Sequence, residues 1–527
     1  MTMRGIAWLL VLVTASSLAA PASAPMMIGE NIYRHGVLST GEPLRGERAA
    51  ASGVQGAAAA CANCHRRSGL GEVEGVTLIP PITAKYLYSA GNRSAYTDAT
   101  LARAIREGVG SDGRVLHYLM PHFRIGDSDA ASLIAYLKQL SSRPSPGVGD
   151  ATLQFATIVT PDADPLRRRA MLDVLEHFFG KDNVFSAGQG PAPQLSHRFN
   201  PLPHRWQLHV WELSGAPDSW KAQLDERLRR EPVFAVISGI GGRSWEPVHR
   251  FCEESGVPCL FPNVDLPVVE EQDFYDIYWC KGVLLEAELI AARLQSSADA
   301  SGGTPAEGRR VVQVYRRGDI GQGAALQLRG ALSSRAAEVT DRVLDPGTDP
   351  TQVREAFSDS RPGDEWVLWL RPEDIGSLPP QPPAGAVVFV SGIMGGLERT
   401  PLTPAWRGVA RMTYLLDLPD RRRLSMEYPL SWMRLKQIPV VDERTQTDTY
   451  LACVVVAETV GMMGEDLVRD HLVEMLEMHL GRRLVDGHYP RLGLADGQRF
   501  ASKGGFLVRF PDAQGPRLVA DGVWSVP

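Results

Sequence analysis

The pentapeptide Cys61-Ala62-Asn63-Cys64-His65 constrains the fold of this chain more than any other feature of its sequence. Two thiols spaced about one helical turn apart can bond to the two vinyl groups of one haem, and the histidine that follows then lies beneath the iron as its proximal ligand. The surrounding segment must therefore fold around a planar group held at Cys61 and Cys64, with His65 on the iron. The motif predicts one covalently attached haem c.

Two other kinds of site use a Cys-x-x-Cys pair, and the neighbouring sequence disfavours both. A thioredoxin-like dithiol would follow a strand in a βαβ unit, whereas the Gly/Ala-rich stretch 53–60 precedes this motif. A zinc site would need two further ligands nearby, and no second cysteine pair of suitable spacing occurs before Cys252. Haem attachment remains the favoured interpretation.

Residues 1–24 have the three parts of a secretory signal peptide. Arg4 supplies the positive charge, residues 5–13 are almost wholly apolar, and Ala22-Ser23-Ala24 is the small-residue pattern that precedes a cleavage site. The apolar run is shorter than the roughly 20 residues that span a bilayer. Because the sequence has no cysteine near the cleavage point, a lipid anchor is also disfavoured. We expect a mature, periplasmic chain that begins near Pro25.

Length and charge limit the remaining possibilities. At 527 residues the chain exceeds what one hydrophobic core can organise, so we expect two to four domains. A hydrophobic fraction of 44% with 22% charged residues is typical of a soluble globular protein. The net charge of −6 provides no cationic field for phosphate backbones, which excludes non-specific nucleic-acid binding.

A second axial ligand is expected farther along the same domain, and Met120 is the candidate. It lies in Leu119-Met120-Pro121-His122-Phe123, just before a predicted helix over 129–140 that Asp127-Ser128-Asp129 can cap. A thioether there would give six-coordinate iron of raised potential, as electron-transfer cytochromes require. His117 and His122 are competing ligands, and Met120 could instead fill a core.

Residues from about Gly29 to Ser142 resemble a monohaem class I cytochrome c domain, and we place the domain at 25–142. The resemblance is carried by Cys61-Ala62-Asn63-Cys64-His65, Ile79-Pro80-Pro81, Gly108-Val109-Gly110-Ser111-Asp112-Gly113, Met120-Pro121 and Leu133-Ile134-Ala135-Tyr136-Leu137. It implies an all-α fold, with Pro80 and Pro81 packed near the haem edge. With both axial positions filled, it implies one-electron transfer rather than oxygen or peroxide chemistry.

The composition changes at residues 143–150, where Pro and Gly predict a linker. Beyond it, short β-rich runs alternate with helical periods, which predicts an α/β protein with parallel sheets. The predicted strands cover 154–159, 206–211, 233–238, 257–262, 310–315, 366–370 and 386–391. The predicted helices cover 165–179, 219–230, 245–255, 283–295 and 321–334. This region is long enough for two α/β lobes with a cleft between them.

Residues 151–527 resemble the type I periplasmic binding-protein fold, in the branch of ABC-transporter substrate-binding proteins for branched-chain amino acids. The resemblance is carried by Val236-Ile237-Ser238-Gly239-Ile240-Gly241-Gly242, Cys252-Glu253-Glu254-Ser255-Gly256-Val257-Pro258, Val312-Gln313-Val314-Tyr315-Arg316-Arg317-Gly318-Asp319-Ile320-Gly321-Gln322-Gly323, Thr447-Asp448-Thr449-Tyr450 and Gly497-Gln498-Arg499-Phe500-Ala501-Ser502. It implies a ligand site between the lobes, at the carboxyl ends of the strands.

By position, six residues are candidates for that cleft: Asp162, Gly242, Arg243, Ser244, Asp265 and Asp319. Each has an ordinary structural alternative, since a Gly-rich turn before a helix is often only a turn and a loop aspartate is often a helix cap. Arg243-Ser244-Trp245 departs from the hydroxyl-rich turn of an amino-acid binder, which argues against an amino-acid ligand.

The four remaining cysteines and the absent motifs favour a protein that is not an enzyme. Cys252, Cys259, Cys280 and Cys453 allow three disulfide pairings, and the sequence does not choose between them. A phosphate-binding loop, a nucleophile elbow and a His-Glu-x-x-His zinc motif are all absent from the sequence.

Together, the two resemblances imply a periplasmic electron-transfer cytochrome with a module that binds a small molecule or docks a redox partner. Families resembling each part occur alongside quinoprotein alcohol dehydrogenases, which implies such an enzyme as the partner. The alternative is a solute-binding protein of an ABC transporter with an accessory or redox-sensing haem. A third interpretation, a haem enzyme such as a peroxidase, would need an open position on the iron.

Overall fold

The computed structural model describes residues 23–48, 51–91, 93–180, 204–270, 272–300, 310–333, 338–347, 349–483 and 487–527. Most of the expected signal peptide, residues 1–22, lies outside these stretches. Within them, no helix combines the length and apolar character needed to cross a bilayer. The chain divides into an amino-terminal unit, Met1–Arg143, and a carboxy-terminal unit, Pro144–Pro527.

The described part of the amino-terminal unit contains both helices and short strands. Its helices are α1 (Ala24–His35), α2 (Ala62–His65), α3 (Ala84–Leu87), α4 (Asp98–Glu107) and α5 (Asp127–Gln139). Its strands are β1 (Arg45–Arg48), β2 (Ala51–Gln55), β3 (Glu72–Glu74), β4 (Thr77–Ile79) and β5 (His122–Arg124). Strand β1 pairs with β2 and β5 in an antiparallel sheet, and β3 pairs with β4.

The expectation of an all-α amino-terminal domain is therefore not confirmed. The strands have three to five residues, too few for the alternation of apolar and polar residues to show in the sequence. Gly46 brings β1 against the segment around β5, because a Cβ at this position would lie 2.9 Å from Pro121 Cβ. The pairing of β1 with β5 thus depends on a close approach at Gly46, which cannot be recognised from the pattern of hydrophobic residues in the sequence.

Helices α1 and α5 pack against each other and form much of the core of this unit. They meet at Gly29, where a Cβ would lie 2.3 Å from the Ser132 carbonyl oxygen. The predicted helix over 129–140 is confirmed, but the proposed capping by Asp127-Ser128-Asp129 was wrong, because the N-cap is Gly126 and has no side-chain bond. Asp127 and Asp129 lie in the first turn, where negative charge favours the helix dipole.

The carboxy-terminal unit alternates strands and helices. Its strands are β6 (Thr152–Val159), β7 (Arg205–Glu212), β8 (Ala235–Ile237), β9 (Cys259–Leu260), β10 (Asp276–Ile277), β11 (Arg310–Arg316), β12 (Glu338–Leu344), β13 (Glu365–Trp369), β14 (Val387–Val390), β15 (Ala410–Tyr414), β16 (Phe506–Arg509) and β17 (Val519–Ala520). Its helices are α6 (Pro165–Phe179), α7 (Trp220–Arg230), α8 (Glu246–Ser255), α9 (Val283–Ala300), α10 (Ile320–Leu332), α11 (Pro350–Glu355), α12 (Pro372–Ile375), α13 (Gly392–Gly395), α14 (Pro404–Arg407), α15 (Pro419–Leu435), α16 (Glu443–Met463) and α17 (Arg469–Leu480).

The strands form two sheets. The five-stranded sheet is parallel throughout, in the order β10-β9-β8-β6-β7. The seven-stranded sheet has the order β12-β11-β13-β14-β15-β16-β17, and only its last two pairings are antiparallel. Continuous apolar runs such as β8 and β13 are buried along their length, as parallel strands covered on both faces are.

The segment predicted as a linker is attached to the carboxy-terminal unit by hydrogen bonds. Ser145 N–H donates to the Leu467 carbonyl at 3.0 Å, and the Ser145 hydroxyl accepts from Arg469 N–H at 2.9 Å. Gly147 (φ +90°) packs so closely that a Cβ would lie 2.2 Å from Phe234 N. Val148 forms a bridge with Leu153. Residues 145–148 thus pair with the amino-terminal end of β6, an inner strand of the five-stranded sheet.

Candidate functional site

The short helix α2 positions the predicted haem-attachment residues. Cys61 is its N-cap, and the Cys61 carbonyl accepts from His65 N–H at 2.9 Å and from Cys64 N–H at 3.3 Å. This single turn places the two cysteines and the histidine at helical spacing. Cys61 and Ala62 pack against the hydrophobic core of the amino-terminal unit.

His65 is held by the proline loop that the sequence singled out. Its ring is buried, and Nδ1–H donates to the Pro80 carbonyl at 3.0 Å. Burial lowers the pKa of His65, which favours the neutral imidazole. Because Nδ1 carries the proton that is donated to the Pro80 carbonyl, the lone pair of the neutral ring is at Nε2. This arrangement is typical of metal-bound histidines. Pro80 therefore orients His65, while Pro81 follows it on the same loop.

The residue after His65 has a strained backbone. Arg66 is not glycine yet has φ +64°, a region that costs on the order of 1–3 kcal/mol unless the surroundings enforce it. The buried hydroxyl of Tyr33, on α1, donates to the Arg66 carbonyl at 2.6 Å. Helix α1 thus fixes the direction in which the chain leaves the attachment motif.

Met120 and the two competing histidines differ in their surroundings. Met120 closes a turn in which its N–H donates to the His117 carbonyl at 2.9 Å, and its side chain packs on the amino-terminal core. His117 is exposed beside Tyr118. His122 is also exposed, on the face of β5 opposite the buried Phe123. Met120 is the one of the three that contacts the core.

The donor set fits a haem c. Two thiols one turn apart, a neutral imidazole with its Nδ1 proton engaged, and a core-facing thioether are the groups that such a cofactor uses. Burial raises the pKa of Cys61 to about 12, so this sulfur stands in surroundings that exclude a charged thiolate. A thioether between this sulfur and a haem would carry no charge and would be compatible with these surroundings.

In the carboxy-terminal unit, the predicted cleft residues form three groups. In the first, Asp162 Oδ2 accepts from Arg243 N–H at 2.7 Å, and Oδ1 accepts from the Thr160 hydroxyl at 2.6 Å. Burial raises the pKa of Asp162, but these hydrogen bonds outweigh it and lower the pKa overall. Gly242 is required here, since a Cβ would lie 2.4 Å from the Asp162 carbonyl oxygen. Ser244 follows in the same turn.

The second group surrounds Asp265. Its carboxylate pairs with Arg167 Nη1 at 2.7 Å and with Arg444 Nη2 at 3.1 Å. Burial opposes ionisation, yet these two guanidinium groups hold the pKa of Asp265 well below its usual range. Arg167 lies on α6 and Arg444 on α16, so Asp265 joins two helices by charge.

Beside Arg444 lies a polar cavity that the sequence analysis missed. Its lining includes Asn263, Trp279, Cys280, Arg444, Asp448 and Tyr489. Asp448 Oδ2 accepts from the Tyr489 hydroxyl at 3.2 Å, while Oδ1 has no hydrogen-bond partner among the described residues. Burial raises the pKa of Asp448 to about 7. A neighbouring cavity shares Cys280, Arg444 and Tyr489 and reaches Ile393 and Leu415 next to the seven-stranded sheet.

A signal for this cavity was present in the sequence. The polar run 445–449 begins α16 and is buried throughout, whereas polar residues at the start of a helix normally face water. The sequence analysis used Thr447-Asp448-Thr449-Tyr450, which overlaps this run, as evidence for the fold and did not assign it to a binding site.

The third group is formed by Asp319 and Arg371. Asp319 is the N-cap of α10 and accepts two hydrogen bonds of 2.7 Å from Arg371 Nε and Nη2. Burial raises the pKa of Asp319, but Arg371 lowers it overall, with a smaller contribution from Arg243 of the first group. Asp319 acts here as a paired helix cap, the structural alternative that the sequence left open.

Comparison with known proteins assigns each unit. Residues 50–141 match the family described as Cytochrome c. No curated protein matches the sequence of the chain. A fatty acid ABC transporter substrate-binding protein from Thermomonospora curvata aligns over 73% of this chain and 95% of its own, with TM-score 0.50 and 15% identity.

Two further solved structures give the same result. A branched chain amino acid ABC transporter protein from Thermus thermophilus with bound valine aligns over 72% of this chain and 97% of its own, with TM-score 0.50 and 12% identity. A substrate-binding periplasmic protein from Ralstonia solanacearum aligns over 70% of this chain and all of its own, again with TM-score 0.50 and 12% identity. The chain carries a cytochrome c domain at residues 50–141, followed by the fold of type I periplasmic binding proteins.

Proposed function

We propose that the protein is a periplasmic c-type cytochrome that transfers single electrons. One haem c is bonded covalently to Cys61 and Cys64, with His65 and Met120 as axial ligands. The mature chain begins near Pro25, after cleavage of the signal peptide. The observation that carries the proposal is the hydrogen bond from His65 Nδ1 to the Pro80 carbonyl, which orients a buried neutral imidazole directly after two cysteines.

The residues of this chain prepare the site for electron transfer. The bound haem iron supplies a one-electron redox couple. His65 is fixed by Pro80, Met120 lies on a turn packed on the core, and Cys61 packs against the same core. With both axial positions occupied by protein, substrates have no open coordination site, so we propose an electron carrier and not a catalyst.

The carboxy-terminal unit is proposed to be a two-lobed module with a small-molecule site between its sheets. The cavity at Arg444, Asp448 and Tyr489 supports this, because it offers a guanidinium group and a carboxylate oxygen to which no described residue donates a hydrogen bond. Asp162, Gly242, Arg243, Ser244, Asp265 and Asp319 are proposed to line or brace the cleft. A quinoprotein dehydrogenase is the proposed electron donor, which this module binds directly or serves by sensing a solute.

Electron transfer is tested by mixing the oxidised holoprotein with a quinoprotein alcohol dehydrogenase and its alcohol. We expect the spectrum of reduced haem to appear, and the same mixture without alcohol to stay oxidised. Failure of every such enzyme to reduce the haem, while a chemical reductant does so, would contradict the proposed partner.

The second candidate function is solute binding for an ABC transporter, favoured by the Oδ1 atom of Asp448, which has no hydrogen bond within the described parts of the chain. Calorimetry with amino acids and small carboxylates, on oxidised and reduced protein, distinguishes the two. Tight binding that ignores the haem state and is lost in Arg444→Gln, but kept in the control Arg229→Gln at an exposed position of α7, would favour transport. Binding that changes with haem state would favour a redox role.

A further inference from the structure

A second cluster of metal-ligating side chains lies in the carboxy-terminal unit, outside the proposed cleft residues. Cys252 lies on α8, Cys259 begins β9 and Asp276 begins β10. Cys259 and Asp276 are register partners in the parallel pairing of these strands, so their side chains leave the sheet on the same face. Helix α8 contacts β10 and brings Cys252 to that face.

The three side chains are close to the spacing of a metal site. The Sγ atoms of Cys252 and Cys259 and a carboxylate oxygen of Asp276 all lie within 4.8 Å of one another. In tetrahedral zinc sites with Zn–S bonds of about 2.3 Å, two sulfurs are about 3.8 Å apart. Small side-chain rotations suffice to close this difference. All three residues are buried, with at most 1% of their surface exposed.

Asp276 has fewer polar partners than a buried carboxyl group usually has. Among the described residues, no hydrogen bond reaches either of its carboxylate oxygens. His249 Nδ1 is 3.5 Å from Oδ1 and is hydrogen-bonded to the Tyr278 hydroxyl at 2.8 Å instead. An ionised Asp276 is compensated by His249, 3.5 Å away, when that imidazole is protonated, but it accepts no hydrogen bond among the described residues. A buried carboxylate without a hydrogen bond is costly in an apolar interior.

The neighbouring Glu253 differs from Asp276 in the hydrogen bonds that its carboxylate accepts. Glu253 also lies on α8, and its carboxylate accepts from three successive backbone N–H groups, those of Phe274, Tyr275 and Asp276. These bonds fix the start of β10 and leave the Asp276 side chain directed at the two sulfurs. Within the described residues, the fold therefore provides hydrogen bonds for the half-buried Glu253 carboxylate and none for that of the buried Asp276.

We propose that Cys252, Cys259 and Asp276 bind a divalent cation of the zinc class. On binding, the two thiols become thiolates and release two protons to solvent, while the cation compensates the Asp276 carboxylate. Two sulfurs with one oxygen match zinc better than calcium or magnesium, which take oxygen ligands alone. A Cys252–Cys259 disulfide would leave Asp276 as unsatisfied as before. Because the site is buried, the cation must enter as the chain folds.

The test uses the full-length holoprotein without a polyhistidine tag, exported in zinc-sufficient medium. Elemental analysis of one sample measures zinc against haem iron, and we expect one zinc per iron. Cys259→Ala and Asp276→Asn should lower the zinc content at least tenfold. Cys453→Ala is the matched control, because this fully buried cysteine on α16 lies outside the cluster and should leave the zinc content unchanged.

A measurement on the unaltered protein keeps the proposal testable if the variants fail to fold. Zinc-edge X-ray absorption should show two sulfur ligands at about 2.3 Å. Zinc held only by nitrogen and oxygen would overturn the proposal. So would zinc-free protein in which mass spectrometry finds a Cys252–Cys259 disulfide, or in which both thiols alkylate after unfolding without releasing zinc.

Discussion

Met120 closes its turn with a side chain against the amino-terminal core, while His117 and His122 face solvent. If Met120 is the axial ligand, Met120→Ala removes a thioether that no nearby histidine replaces without rearrangement. We expect loss of the absorption band of methionine-ligated ferric haem and a potential lower by on the order of 0.1 V, within the roughly 0.8 V that axial ligands span.

Met26→Ala is the control for this prediction. Met26 also packs on the amino-terminal core, so its loss reproduces the packing defect without touching the turn. Visible spectra and redox titration of both variants give the comparison. An unchanged spectrum in Met120→Ala would make Met120 a core residue and reopen the iron to other ligands.

Glu286 gives the carboxy-terminal unit a pH dependence. The side chain is fully buried on α9, and burial raises its pKa to about 7 although Ser391, Thr413 and Ile393 N–H donate to it. Between about pH 4.5 and 7, the folded state keeps a proton that the unfolded state releases. Its contribution to stability is therefore greatest below pH 4.5 and is lost as the pH rises, by roughly 3 kcal/mol in all.

Glu286→Gln should remove that slope. Glu288→Gln, on the same helix, breaks a partly exposed pair with Lys281, which precedes the helix, and should keep the slope. Urea unfolding followed by tryptophan fluorescence measures the effect. Apart from Trp8, every tryptophan lies between Trp206 and Trp524, so the signal reports on the carboxy-terminal unit. Parallel pH curves for the wild-type protein and Glu286→Gln would contradict the prediction.

For individual residues, the sequence predicted the type of chemistry at a site better than the contacts between residues that are far apart in the chain. Cys61, Cys64 and His65 form one local motif, so their identification needed no tertiary contact. Arg167, Asp265, Arg444 and Asp448 are brought together by α6, the loop after β9 and α16, which are far apart along the chain. Only Asp265 was predicted, because a loop position is visible in sequence while an ion-pair partner is not.

At the scale of structural elements, the packing of residues 145–148 on the five-stranded sheet can be tested with two matched glycine variants. Gly147→Ala would place a Cβ 2.2 Å from Phe234 N, with φ +90°. Gly363→Ala is matched, because Gly363 has φ +87° and nothing within 4 Å of an added Cβ. The control should cost about 1–2 kcal/mol for the left-handed backbone alone, and Gly147→Ala about 1–3 kcal/mol more for the overlap.

Urea unfolding of the two glycine variants, followed by tryptophan fluorescence, measures this difference. Equal losses of stability would mean that residues 145–148 do not pack on the five-stranded sheet in solution.

Elements with strong patterns were predicted closely, whereas short ones were missed or were predicted longer than they are. The helix predicted over 165–179 has those bounds in the structure, and the strand predicted over 310–315 is one residue longer. The strand predicted over 257–262 exists as β9 but has only two residues, 259–260. Strand β10, with two residues, and β1 to β5, with three to five, were not predicted, because they are too short for a period to emerge. Their pairing is decided by tertiary contacts.

For the whole molecule, each hydrophobic cluster found among the described residues draws all its members from one unit. Cys61→Ala with Cys64→Ala should therefore remove the haem yet leave tryptophan-monitored unfolding of the carboxy-terminal unit unchanged within about 0.5 kcal/mol. The pyridine haemochrome assay should give one haem per wild-type chain and none in the variant. A larger loss of stability would show that haem loading supports both units.

The hydrogen bonds of Ser145 and the bridge of Val148 have a practical consequence for separating the two halves of the gene product. A truncated version begun at Ala151, where the regular alternation of strands starts, would remove residues 145–148, which bond to the first residues of the inner strand β6, and would leave backbone groups there without partners. Cloning from Pro144 preserves these hydrogen bonds.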